Sequence, residues 1–202
     1  MRLLAIDTAT PACSVALFHD ERLIAGDHAV IGRGHAERLV PVIATLPDRG
    51  RADRICVSLG PGSFTGVRIG LATARALGLA WGAEVLGYPT LTLVAAMARA
   101  GADVPVSVAM TGGHGEWFVQ DFTTDGVPVG EAVSLPPDQA GAACAATLVA
   151  GDRADELIAA RGWGEAQGIL PDARAFALLP PACLSPALSP LYGRAPDAKL
   201  PG

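Results

Sequence analysis

The sequence predicts an α/β protein of two lobes, built on mixed sheets with flanking helices. Three observations lead there. Short apolar runs joined by tight polar turns open the chain. Strand-like and helix-like patterns then alternate through about residue 100. A Gly101-Ala102-Asp103 hinge follows, and the strand–turn–strand pattern begins again.

The 202 residues suit one domain or two small lobes and are enough to bury a core. Half are hydrophobic and 17% are charged, which excludes a disordered chain. The formal charge is −5, and the arginines are scattered among acids. That excludes a protein that grips nucleic acid alone through a basic face. Cys13, Cys56, Cys144 and Cys183 form no C-x-x-C pair and lie in or near apolar stretches, as free thiols of a reducing compartment do. The N-terminal apolar run, Leu3 to Ile6, is too short for a signal-peptide core. The longest apolar segment, around 66–83, carries Arg68 and Arg75 and is a poor membrane span. The expected location is the cytoplasm, with no membrane partner.

Residues 3–6, 14–18 and 22–30 read as an antiparallel meander. In 35–46, Leu39, Val40, Ile43 and Leu46 share a helical face, interrupted by Pro41. Residues 55–59 read as a strand, followed by the turn Gly60-Pro61-Gly62-Ser63-Phe64-Thr65-Gly66 and a helix over 65–81. That helix is apolar nearly all round, and Gly70, Ala74 and Gly78 repeat every four residues. Glycine inside a helix costs roughly 1 kcal/mol relative to alanine. Close packing on that stripe would offset the cost, and a helix apolar on both sides needs cover on both. A strand at 85–87 and a helix at 91–100 complete the first lobe, assigned to 1–100. The second, smaller lobe is assigned to 101–202, with its final residues free to return to the first. It shows strands at 105–110 and 116–122, a helix near 138–146, a strand at 147–150 and a helix at 152–161. No internal repeat is visible.

The glycine-rich turn leads from strand to helix, so its N–H groups could face an anion. It lacks the lysine of a P-loop, and the ordinary alternative is a tight crossover. Asp7, with Thr8 and Thr10, stands at the end of the first strand, where it could hold a metal-bound water beside a phosphate. The ordinary alternative is a turn satisfying its own backbone. Asp7, Thr8, Gly60 and Gly62 are the candidate nucleotide contacts. His19, His28, His35 and His114 show no metal-ligand spacing, and Ser63 is not in a G-x-S-x-G elbow. No catalytic or metal residue is assigned.

The blocks L-L-A-I-D-T-A-T-P-A-C-S-V-A-L at 3–17, H-A-E-R-L-V-P-V-I at 35–43 and S-L-G-P-G-S-F-T-G-V-R-I-G-L-A-T-A-R-A-L at 58–77 resemble the TsaB (YeaZ) family. So do G-Y-P-T-L at 87–91, G-E-W-F at 115–118 and P-L-Y-G-R-A-P-D-A-K at 190–199. The resemblance covers the first half almost without gaps. It implies the actin/sugar-kinase/Hsp70 (ASKHA) fold, with the second lobe reduced. It implies a non-catalytic, shortened relative of TsaD that pairs with and activates TsaD in making N6-threonylcarbamoyladenosine at position 37 of tRNA. It implies also that TsaE joins with its own ATPase, that a homodimer forms without TsaD, and that tRNA is met only through the complex. No cofactor is required by the chain alone; ATP or ADP is implied only at the interface with TsaD. The catalytic relative's H-x-x-x-H pair is replaced by Thr90-Leu91-Thr92-Leu93-Val94, so the family's old M22 glycopeptidase label does not carry over. Where the family has an Asp-Ala-Arg-like segment, this chain has Thr111-Gly112-Gly113-His114. The expected partner interface is Leu39, Ile43, Val67, Gly70, Leu71, Ala74, Leu77 and Gly78, and Ala74→Trp is expected to block pairing with the fold intact. The competing reading is an independent nucleotide-binding ATPase or phosphotransferase of the same fold.

Overall fold

The computed structural model describes residues 1–193. The meander forms as β1 (Arg2–Asp7), β2 (Ala12–His19) and β3 (Arg22–Val30), paired antiparallel. Then come α1 (His35–Thr45), β4 (Arg54–Ser58), α2 (Phe64–Trp81), β5 (Glu84–Tyr88) and α3 (Thr90–Ala98). β4 pairs parallel to β1 and to β5, giving the order β3-β2-β1-β4-β5. Parallel neighbours need crossover connections, which α1 and α2 supply.

The second lobe repeats this plan. β6 (Val106–Thr111), β7 (Trp117–Phe122) and β8 (Pro128–Leu135) form a second meander. α4 (Pro137–Ala143), β9 (Leu148–Ala150), α5 (Ala154–Arg161) and β10 (Glu165–Gln167) complete it, in the order β8-β7-β6-β9-β10. β9 lies parallel to β6 and β10 parallel to β9, as β4 and β5 do in the first sheet. The repeat absent from the amino-acid sequence is thus present in the topology. β8 and β10 were not expected from the sequence; β8 is largely exposed and has little of the apolar alternation that marks a strand.

Each lobe sends a segment to the other. Leu91, Val94 and Ala95 of α3 pack with Val106, Val108 and Met110 of the second sheet. In return the 3₁₀ segment Ala173–Leu178 packs on the first, where the Phe176 ring lies 6.0 Å from Phe18 and 5.6 Å from Tyr88. The chain stays on the first lobe: Gly87 bridges Ser185, and Leu191 N–H donates to the Leu59 carbonyl at 2.7 Å. Residues 173–192 therefore lie against the first lobe although they follow the second in sequence.

α2 starts at Ser63, whose Oγ accepts from Gly66 N–H at 3.2 Å, and stops at Gly82, which has a φ of 66°. Its Gly70–Ala74–Gly78 stripe faces the chain's own sheet. A Cβ on Gly70 would crowd the Thr8 hydroxyl and Val57, and one on Gly78 would run into Val85. Val67, Leu71 and Ala74 share a core with Leu4, Ile6 and Val57, joined by Leu39 and Ile43 of α1. Of the eight residues expected at a partner interface, seven are buried within this chain and Leu77 is partly buried. Seven of these residues are thus covered by the chain's own core, and Leu77 alone of the eight keeps an exposed part. Fully burying a leucine contributes about 2 kcal/mol, so the fold itself claims this stripe. Pro41 sits on the exposed side of α1, where the carbonyl it leaves unpaired can reach water, and the helix runs through it.

Candidate functional site

The candidate phosphate contacts come together at the carboxyl ends of β1 and β4. Asp7 is buried, and its Oδ1 accepts from Ala9 N–H at 3.0 Å. The Thr8 hydroxyl donates to the Gly66 carbonyl at 2.7 Å. Ser63 N–H donates to the Ala9 carbonyl at 2.6 Å, and Thr90 N–H donates to the Gly60 carbonyl at 2.8 Å. Gly60 has a φ of 90°, the left-handed region that a side chain disfavours. Gly62 and Gly66 serve a different need. A Cβ on Gly62 would overlap the Ala9 carbonyl oxygen, and one on Gly66 the Thr8 carbonyl oxygen. The glycine-rich turn and the β1–β2 turn thus lock backbone against backbone. The Thr8 hydroxyl and the Ser63 and Gly66 N–H groups are engaged inside the chain. Asp7, Thr8, Gly60 and Gly62 are therefore adjacent, and the Thr8 hydroxyl and Ser63 N–H beside them are spent on joining the two turns.

Burial pushes the Asp7 carboxyl up to about 6, against the lowering effect of Ala9 N–H and the hydroxyls of Ser58 and Tyr88. The Tyr88 hydroxyl donates to the Ile6 carbonyl at 3.0 Å and stands 3.4 Å from Asp7 Oδ2. Burial also raises the Tyr88 phenol well above its ordinary range. The folded protein holds the Asp7 proton more tightly than the unfolded chain does. The stability linked to Asp7 is therefore greatest below about pH 4 and falls as pH rises through about 6. Asp7→Asn removes that penalty while keeping an acceptor for Ala9 N–H. It is expected to stabilise the protein at pH 7.5 by on the order of 2 kcal/mol and to flatten its melting temperature between pH 4.5 and 7. A melting curve at pH 7.5 that matches wild type would show that the ionised carboxyl carries no such cost.

Burial pushes the thiols of Cys13, Cys144 and Cys183 up to about 11 and that of Cys56 to about 12, so all stay protonated at neutral pH. Among the described residues no three of His, Cys, Asp or Glu converge as a metal site. His35 is buried, with Nε2 2.9 Å from the Thr10 carbonyl and 3.2 Å from that of Ala12. His114 lies in the β6–β7 turn, in the segment where this chain departs from the family pattern.

The outward side of the helix pair is different in kind. Val40 is 51% exposed on α1, and Phe64 and Leu79 are 54% and 88% exposed on α2. Pro41, Ala72, Ala76 and Ala80 are also exposed. α2 carries Arg68 and Arg75 but no acid. The Arg68 guanidinium lies 3.7 Å from the Phe64 ring centroid, and Tyr192 stacks 5.5 Å from Phe64.

At family level, residues 29–160 match TsaD, described as tRNA N6-adenosine threonylcarbamoyltransferase. A solved Pseudomonas aeruginosa protein, described as uncharacterized with similarity to peptidase YeaZ, is 31% identical with a TM-score of 0.75. The similarity covers 88% of this chain and 89% of that one. The chain belongs to the TsaB (YeaZ) family. YeaZ from Pseudomonas aeruginosa aligns with a TM-score of 0.78 at 28% identity, covering 95% of this chain and 99% of that chain. The Escherichia coli tRNA threonylcarbamoyladenosine biosynthesis protein TsaB is 39% identical over 133 residues, 62% of this chain and 56% of that protein. The chain spans about half the length of the curated relatives it matches. Its paired sheets are those of the ASKHA fold. Of the TsaB-like block at 190–199, residues 194–199 lie outside the described residues. Among the described residues no helix is long and apolar enough to cross a membrane.

Proposed function

We propose that this chain is a non-catalytic subunit of the machinery that makes N6-threonylcarbamoyladenosine at position 37 of tRNA, and that it pairs with and activates TsaD. The observation that carries this reading is the exposure of the apolar side chains Val40 on α1 and Phe64 and Leu79 on α2. Exposed apolar patches of this kind mark interaction surfaces. Arg68 and Arg75, on a helix that carries no acid, fit a partner face with an acidic rim. Without TsaD the same face closes a homodimer. TsaE joins the pair with its own ATPase, and ATP or ADP enters only at the shared interface. The net charge of −5 accords with meeting tRNA only through the complex. An independent ATPase or phosphotransferase is the weaker reading, because the Thr8 hydroxyl and the Ser63 and Gly66 N–H groups are engaged within the chain.

Size-exclusion chromatography of the chain with TsaD of the same organism tests the pairing. Leu79→Asp is expected to weaken that association at least tenfold, as for a residue at the centre of an interface, with the melting temperature unchanged. Undiminished association of this variant would remove the α2 face from the interface. No complex with wild type, and normal tRNA modification in cells lacking the chain, would overturn the proposal.

A further inference from the structure

The β1–β2 turn is the place where both crossover helices are fastened. Four successive carbonyls reach the starts of α1 and α2. The Ala9 carbonyl accepts from Ser63 N–H, immediately before α2, at 2.6 Å. The Thr10 and Ala12 carbonyls flank His35 Nε2, on the first residue of α1, at 2.9 and 3.2 Å. The Pro11 carbonyl accepts from Ile31 and Gly32 N–H, on the approach to α1, each at 3.0 Å. A carbonyl only accepts, so His35 Nε2 carries the hydrogen.

α1 needs such a fastening. It has only 11 residues and contains Pro41. Its N-cap, Gly34, is in the left-handed region with a φ of 89° and offers no side-chain cap. A short, uncapped helix interrupted by proline has little stability of its own, so its position depends on tertiary anchors. Those anchors are His35, Leu39 and Ile43, spaced four residues apart on the buried face. Leu39 and Ile43 supply non-directional burial, and Arg38 adds an ion pair to Asp27 of β3 at 2.7 Å; His35 makes its bonds to the turn that also receives α2.

We propose that His35 is a positioning residue for the α1–α2 docking face: its Nε2–H bonds to Thr10 and Ala12 set where α1 stands beside α2, and so shape the surface offered to a partner subunit. The proposal rests on the docking role given above for that face. The test compares two amides in the full-length chain. His35→Gln places an N–H donor near the position of Nε2, whereas His35→Asn is one methylene too short to reach the carbonyls. Amide hydrogen exchange is measured on each protein alone, and association with TsaD by titration.

His35→Asn is expected to speed exchange of the α1 amides at least tenfold while those of β1 and β4 stay within threefold. It is also expected to weaken association about tenfold, and His35→Gln to stay within threefold of wild type in both measurements. The proposal is overturned if His35→Asn leaves α1 exchange unchanged or His35→Gln loses as much as His35→Asn. It is equally overturned if the acceleration is uniform over helix and sheet, if association is unaffected, or if neither variant folds. If wild type itself does not bind TsaD, the docking role fails, and the exchange measurement still decides whether His35 positions α1.

Discussion

Gly66→Ala is expected to destabilise the protein by about 3 kcal/mol and to lower its melting temperature by about 10 °C. In an ordinary helix this substitution is favourable by about 1 kcal/mol, so the expected sign is reversed. The cause is the Thr8 carbonyl oxygen, which occupies the space an alanine Cβ would need. That oxygen is backbone, in a turn tied down by Asp7 on one side and Ser63 on the other, so no rotamer change relieves the overlap. Relief means separating the turn from α2, which breaks the 2.7 Å bond from the Thr8 hydroxyl to the Gly66 carbonyl. Gly113→Ala is the control. Nothing lies within 4 Å of a Cβ at that position, and the change should stay within about 0.5 kcal/mol. Thermal melts of the two variants by circular dichroism decide the matter. A Gly66→Ala protein as stable as wild type would mean that the two turns do not touch.

Ala74→Trp is expected to abolish the fold rather than merely block pairing. Ala74 is 0% exposed and packs among Leu4, Ile6 and Val57. Core interiors are close-packed, so an indole there must displace α2 from the sheet, at a cost of about 3 kcal/mol or more. Leu79→Trp, on the same helix at an 88% exposed site, should leave the urea midpoint unchanged. The pair thus reads out which side of α2 the sheet occupies. A soluble Ala74→Trp protein with a wild-type midpoint and no pairing would restore the small-residue stripe to the interface.

Much of this architecture is legible in the residues. The meander at 2–30, the strand before the glycine-rich turn and the helix after it follow from local periodicity and from turn chemistry. The break after α3 is legible too, since α3 stops at Ala98 and the next strand begins at Val106. β8 escaped because its Val129 and Val133 remain exposed and a strand at the sheet edge need not alternate cleanly. β10 is three residues long, too short for any period to register. The duplication of the two sheets left no trace in the residues, because a topology tolerates many sequences that keep only the apolar pattern.

The site divides along the same line. Asp7, Thr8, Gly60 and Gly62 stand out in the sequence, and the structure does bring them together. Their role follows from which groups are already bonded, and those bonds join residues tens of positions apart. His35 carried only the weak signal of a histidine at a helix start; its partners, Thr10 and Ala12, lie on a turn more than twenty residues earlier. The amino-acid sequence by itself determined the fold class, the family and the small-residue stripe on α2. Only the tertiary structure decided that this stripe meets the chain's own sheet and that Val40, Phe64 and Leu79 face outward. The physical reason is that periodicity shows that a helix has an apolar face and how wide it is, whereas the covering surface is assembled from strands brought together only by folding.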